Sequence, residues 1–152
     1  MTGVRRFSSD PASIDVQSRL ENAIIKCTDE PALYRLLDQH SSAAAPSARL
    51  DQNLRQFIDT PQPGLTAAVL RLYRNTGCRD VDIEGAAAAY LTVSCYDGPW
   101  YDETIISIGW ANELMQEGDQ SPLVSAYERL LNEIEELQHQ ELQEFCEGYR
   151  RR

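Results

Sequence analysis

Glu135 and His139 stand four residues apart, with Cys146 two helical turns further on. Carboxylate, imidazole and thiolate are side chains that bind zinc. A zinc hydrolase would need the His-Glu-x-x-His spacing or a second ligand cluster, and the chain has neither. A solvent-facing ion pair on one helix face is the simpler reading of Glu135 and His139. Asp102 and Glu103, beside Trp100 and Tyr101, form a second arrangement. Paired carboxylates hydrolyse glycosides when they face each other across a bond, but adjacent at a helix start they complement the dipole and cap the first turn. Ser94-Cys95 would become a nucleophile only if His40 or His139 folded against it. Gly64-Leu65 lacks the glycines and the lysine of a phosphate-binding loop. The sequence therefore predicts no catalytic residue, no metal and no cofactor.

Tyr96, Trp100 and Tyr101 alternate with Asp97 and Asp102 around Gly98-Pro99. Aromatic anchors with carboxylates are the composition of an interface that meets arginines on a partner. The same residues also suit a core in which Trp100 plugs a gap between helices, and both readings stand at this level.

Charge divides the chain at this turn. Residues 1–96 hold 11 acidic and 10 basic side chains, a balance of −1, whereas residues 97–149 hold 13 acidic side chains against Arg129, a balance of −12. Arg150-Arg151-Arg152 form a short basic tail, and the total is −10. Such a surface is unsuited to non-specific nucleic-acid binding, which needs phosphate neutralisation. It suits a basic partner drawn in by long-range attraction, and it also keeps a protein soluble.

These features must be carried by a chain of 152 residues, 42% apolar and 25% charged, the size and composition of one globular domain. No apolar run approaches a membrane span, and Met1–Ser9 lacks the apolar stretch of a secretory signal, so the cytoplasm is the expected compartment. Cys27, Cys78, Cys95 and Cys146, without a Cys-x-x-Cys spacing, are expected to be reduced, mostly buried thiols.

The periodicity predicts an all-α bundle of about six to seven helices within residues 10–149, behind a disordered segment 1–9. Asp10-Pro11 opens a helix running to about Lys26, and Thr28-Asp29-Glu30-Pro31 separates it from a short one with Leu33, Leu36 and Leu37 inward and His40 near its end. Ser41–Ser47 reads as a helix–helix connection, with Ser47 capping a third helix that carries Leu50, Leu54, Phe57 and Ile58. Pro61-Gln62-Pro63-Gly64 breaks it, and a fourth helix from Leu65 ends where Gly77 offers a left-handed cap. Ala86–Ala89 favour helix and close approach of another helix, while Thr92-Val93-Ser94-Cys95 lean toward strand. A hairpin pairing 89–96 with 104–110, giving an α+β fold, is the competing assignment. Helix is preferred because Asp97 or Gly98 with Pro99 starts one well and Ala111–Met115 continue it to Gly118. Ser121-Pro122 then opens the longest helix, about 122–147. It has an apolar stripe of Val124, Tyr127, Leu131, Ile134, Leu137 or Gln138, Leu142, Phe145 and Tyr149, and glutamates over much of the remainder.

The run Gly98-Pro99-Trp100-Tyr101-Asp102-Glu103-Thr104-Ile105-Ile106-Ser107-Ile108-Gly109-Trp110-Ala111-Asn112-Glu113-Leu114 resembles a helical segment of a bacterial domain family of unknown function that includes an acidic DNA mimic. The shared features are the glycine turn, an aromatic, Glu-Thr, an apolar helix with Ile-Gly and a later leucine. The family's Asn-Gly-Gly-Phe motif is replaced here by Ala86–Ala89. The resemblance implies an all-helical fold and displacement of nucleic acid from a DNA-binding protein.

Together these readings predict a non-catalytic acidic domain that binds a basic protein surface, as a DNA mimic, an immunity protein or an inhibitor of a nucleic-acid-binding protein does. The candidate partner-binding residues are Trp100, Tyr101, Asp102, Glu103, Glu113, Glu133, Glu136 and Glu144. The alternative is a small acidic secretion chaperone or adaptor that holds a partner segment in its apolar stripe. That stripe could equally join two copies of the chain as a homodimer.

Overall fold

The computed structural model describes residues 11–40, 45–93 and 98–150, with side chains from Val16 to Gly148 within those ranges. The expectations for Met1–Ser9, the Asp10 cap, Ser41–Ala44, Ser94–Asp97 and the last two arginines lie outside the described residues. All regular structure in the described residues is helical: α1 Pro11–Lys26, α2 Glu30–His40, α3 Ala48–Leu54, α4 Gln56–Asp59, α5 Leu65–Asn75, α6 Val81–Leu91, α7 Tyr101–Gln116 and α8 Pro122–Arg150. The all-α assignment holds. The hairpin does not form, because Tyr90 and Leu91 complete α6 and residues 104–110 lie inside α7.

The chain falls into two compact units, Met1–Ile83 and Glu84–Arg152. The division lies neither at the alanine–proline connection nor at the Gly98 turn but inside α6. Its first residues are fastened to the first unit by Arg55, and its last turn is fastened to the second by Trp100 and Thr104.

In the first unit α5 is the central element. Leu65, Thr66, Ala67, Ala68, Val69, Leu70, Leu72 and Tyr73 are all buried, so more than one apolar stripe is used and α2 and α4 both pack on it. Ile24 of α1, Leu33 and Leu37 of α2, Leu50 and Leu54 of α3 and Phe57 of α4 complete this core. Removing a fully buried leucine such as Leu72 costs about 2–5 kcal/mol, through lost transfer energy and the cavity left behind. Two prolines and Gly64 end the preceding segment, and Gly64 takes φ +86°, a left-handed conformation that other residues resist. Thr66 stitches the break, its hydroxyl donating to the Phe57 carbonyl at 2.9 Å and accepting from the Gln62 amide at 2.8 Å. Ser47 caps α3 by accepting from the Leu50 amide, and Gly77 at φ +72° follows the end of α5, both as the sequence predicts.

The helix predicted from Ser47 through Ile58 is broken at Arg55 into α3 and α4. Local propensity does not ask for a break there. The Arg55 side chain is engaged 25 residues away, at Asp80, as described below.

The second unit packs α7 against α8. Ile106, Trp110, Ala111 and Leu114 of α7 and Leu123, Val124 and Ala126 of α8 are buried. Gly118 at φ +78° turns the chain, and Ser121 caps α8 by accepting from the Val124 amide at 3.3 Å. Helix α7 begins at Tyr101, two residues beyond Pro99, and its N-cap Trp100 makes no side-chain capping bond. The proline start expected there is thus displaced, because Trp100 is held against Tyr90 instead.

Candidate functional site

Three polar constellations could do chemistry, and the first two prove to be fasteners. Near the end of α2, His40 is completely buried and its Nε2 lies 3.4 Å from Glu21 Oε2. Ser47 donates its hydroxyl to Glu21 Oε1 and its backbone N–H to Oε2 at 3.1 Å. Serine, histidine and a carboxylate are the members of a nucleophilic triad, but the order is wrong. Acyl transfer needs the imidazole between serine and acid, and here the carboxylate stands between serine and imidazole. The Ser47 hydroxyl is also occupied as the α3 cap. His40 Nδ1 has no hydrogen-bond partner among the described residues. Burial works against ionisation of Glu21, yet the hydrogen bonds from Ser47, His40 and Gln17 outweigh it and hold the carboxyl below its ordinary value. The result ties α1 to the end of α2 and the start of α3. The sequence placed His40 at this helix end, and it does lie in the last turn, but only tertiary placement could bring Glu21 to it.

The second constellation centres on Arg55. Its Nε meets Asp51 Oδ2 at 3.0 Å, its terminal nitrogens meet the Asp80 carboxylate at 2.7 and 3.4 Å, and Asp82 lies 3.6 Å away. The Tyr73 hydroxyl donates to the other oxygen of Asp51. Asp80 also accepts from the Asp82 and Ile83 amides and so caps α6. Hydrogen bonds to Asp80 and Asp51 raise the Arg55 pKa further, so this cation is permanent, and Asp80 is held below its usual range by Arg55. A permanently charged, saturated guanidinium is a clasp rather than a proton donor. Among the described residues, no group of three or more His, Cys, Asp and Glu side chains could hold a metal ion.

The third constellation is the aromatic and acidic turn. Trp100 is half-buried and stacks on Tyr90, ring centroids 5.5 Å apart at 25°. The Thr104 hydroxyl lies between the Tyr90 carbonyl at 2.9 Å and the Trp100 carbonyl at 3.0 Å, bracing the same corner. Glu103 is fully buried inside the second unit, so it drops out of the candidate partner surface. Thr104 beside it and Ser107 one turn on are buried as well, because this face of α7 carries the unit's core. Tyr101 and Asp102 remain exposed, with Ile105 one turn on, and Glu113 is exposed further along α7. The predicted turn surface is thereby reduced to its outer half.

The predicted glutamates on α8 have a different setting. Helix α8 is 29 residues long, ~44 Å at 1.5 Å per residue. Its first part is rooted in the second unit, but every side chain from Leu131 to Gly148 is exposed. That half includes Leu131 (41% exposed), Ile134 (39%), Leu137 (55%), Leu142 (61%) and Phe145 (71%). It also holds six glutamates, His139 and neither lysine nor arginine. Among the described residues no ion pair involves these glutamates. Glu133 and Glu136 flank Leu137 in a shallow groove completed by Gln140. Nearer the root, a small cleft is formed by Leu91 at the end of α6 and Thr92 after it, together with Ala126, Arg129, Leu130 and Glu133. Glu133, Glu136 and Glu144 are thus exposed on one helix beside apolar side chains, whereas Trp100 is built into a corner of the fold. Glu135, His139 and Cys146 are exposed on this same helix and form no ligand cluster.

Among the described residues Cys27, Cys78 and Cys146 are free thiols, the first two partly exposed and the last exposed, so the expected burial is not met at these three. No helix of the described residues is long and apolar enough to cross a membrane. Comparison of the chain with family models, with curated proteins and with solved structures finds no match.

Proposed function

We propose that the chain is a non-catalytic acidic interaction domain that binds a basic protein surface. DNA mimics, immunity proteins and inhibitors of nucleic-acid-binding proteins work by this physics, and the resemblance of residues 98–114 to the family with an acidic DNA mimic agrees with it. The observation that supports the reading is the exposed half of α8, with six glutamates and no lysine or arginine over 131–148. Glu133–Glu136, Glu141–Glu144 and Glu144–Glu147 are i,i+3 neighbours whose like charges repel by roughly a few tenths of a kcal/mol per pair, and a cationic partner relieves that repulsion as it binds. Tyr101, Asp102 and Glu113 supply further exposed contacts on α7. The free thiols agree with a reducing compartment, and the cytoplasm remains the proposed location.

The test is retention of the chain on immobilised basic proteins across a salt series. Binding should weaken steeply between low and moderate ionic strength, and replacing Glu133, Glu136 and Glu144 together by glutamine should abolish it. Retention that salt does not affect, or that survives the triple substitution, would sink the reading.

A second reading is favoured by a specific observation, the exposure of Leu131, Ile134, Leu137, Leu142 and Phe145. A secretion chaperone or adaptor uses such a stripe to hold a partner segment, and for it the triple glutamine variant should bind unchanged.

A further inference from the structure

We infer that the exposed half of α8 is the docking site for one cationic amphipathic helix of a partner protein. This rests on the proposal that the partner is basic, and it specifies what part of the partner is held and by which side chains.

Such an apolar face has three candidate occupants: the chain's own core, a second copy, or a foreign segment. Its own unit leaves the face open, since every side chain from Leu131 to Gly148 is exposed. A second copy is disfavoured by charge, and its pairing as a supercoil also by period. Pairing two such segments would bring together two sets of six glutamates with no lysine or arginine from either copy. Leu131, Ile134, Gln138, Leu142, Phe145 and Tyr149 are spaced 3, 4, 4, 3 and 4, an average of 3.6, which is that of a straight helix. Self-pairing in a coiled coil requires 3.5. A strict seven-residue seam continued from Leu131 and Ile134 would pass through Gln138, Glu141, Phe145 and Gly148, burying a carboxylate and a glycine where large apolar side chains are needed.

A cationic foreign helix avoids the repulsion, because it brings the charge that a second copy lacks. Over ~27 Å, about five turns, it need not supercoil with α8 to stay in contact. Its apolar ridge would lie along Leu131, Ile134, Leu142 and Phe145, with Leu137 at the margin. Lysines or arginines beside that ridge would reach Glu135 and Glu141, which at about 100° per residue lie on either side of it, roughly 50–70° from its centre. Each cation would neutralise a carboxylate that has no ion-pair partner among the described residues.

The experiment uses the full chain and a fluorescent 18-residue peptide with leucines at helical spacing and lysines on both flanks. Controls are the same composition scrambled so that no apolar ridge forms, and a version with glutamate for lysine. The expected result is binding of the cationic amphipathic peptide roughly tenfold or more tighter than either control, with the peptide becoming helical in circular dichroism. The double variant Leu142→Ser/Phe145→Ser, at the two most exposed positions of the ridge, should lose that preference while keeping its helix content. Equal, salt-sensitive binding of the cationic peptide and its scrambled form would overturn this inference and leave the basic-surface proposal intact. Equal binding of the acidic version would overturn both. A concentration-dependent dimer of the free chain that the double variant dissolves would overturn it in favour of a second copy. Absence of binding to every peptide would overturn it outright.

Discussion

Arg55 grips Asp80 with both terminal nitrogens, at 2.7 and 3.4 Å, while its Nε holds Asp51 one turn back on its own segment. One side chain thus joins the α3–α4 break to the start of α6. The pair is only half-buried, so its worth is that of hydrogen bonds to charged groups, discounted by solvent. Arg55→Ala should cost about 1–2 kcal/mol, measured as a lowered urea midpoint by circular dichroism. Combined with Asp80→Asn, the loss should fall short of the two single effects added together, because both remove the same interaction.

Two glycines should respond to alanine with opposite signs. At Gly64, φ is +86° and an added Cβ would run into the Tyr34 hydroxyl, so Gly64→Ala should destabilise by about 1 kcal/mol or more. Gly85 lies within α6 with open space around it, and Gly85→Ala should stabilise by about 0.5–1 kcal/mol. Thermal melts of the two variants, compared with the parent chain, check both.

The acid limb of stability should depend on Glu21 and Asp80. Both carboxyls have folded-state pKa values below their ordinary 4.5 and 3.8, Glu21 because its hydrogen bonds outweigh burial and Asp80 chiefly because of Arg55. A lowered pKa means the folded chain binds the proton less readily. The stabilisation is therefore present above the ordinary values and is lost as pH falls through the folded ones. Glu21→Gln should flatten the fall of Tm below about pH 4.5.

The alkaline limb has the opposite sign. Burial, followed by the hydrogen bond to Asp51, pushes the Tyr73 phenol above its ordinary 10.0, and burial likewise raises the Cys78 thiol above 9.0. The folded chain holds these protons more tightly, so their stabilisation is full below the ordinary values and is lost as pH rises beyond them. Tyr73→Phe should lower stability at neutral pH, by leaving Asp51 short of a donor, yet lessen the further loss above about pH 10.

The Trp100–Tyr90 stack should show in stability rather than binding. Trp100→Ala should cost about 2 kcal/mol, less than for a fully buried tryptophan because the side chain stays partly exposed. Trp100→Phe should recover much of that loss. Retention on basic proteins should be unaffected by either change.

Several helix boundaries were legible from local signals, though the Gly98-Pro99 start was displaced to Tyr101. Ser47, Gly77 and Ser121-Pro122 act through bonds to residues three or four positions away, and the structure uses each as the sequence predicts. What escaped was set by distant partners. Arg55 reads as one more exposed helical cation until Asp80 is placed beside it. Glu103 reads as a first-turn acid, favourable to the helix dipole and open to solvent, yet α7 turns it inward with Trp110 and Leu114. The acidic stripe on α8 was fully legible as a pattern. Its exposure was not, because periodicity reveals an apolar face and says nothing of whether another element covers it.

The buried root of α8 has a consequence for how its exposed half forms. Helix initiation is the unfavourable step, with a nucleation constant on the order of 10⁻³, or about 4 kcal/mol, whereas each later residue adds on nearly neutral terms. Leu123, Val124 and Ala126 are locked in the second unit, so the first turns serve as a permanent seed. Residues 131–148 need only propagate from it, against the mutual repulsion of their glutamates. Cut free as a peptide, the same segment would be mostly coil at neutral pH and would wind up on acidification as its carboxylates lose their charge. Left on its seed, it meets a partner already ordered, and the entropy of ordering falls on the incoming chain alone.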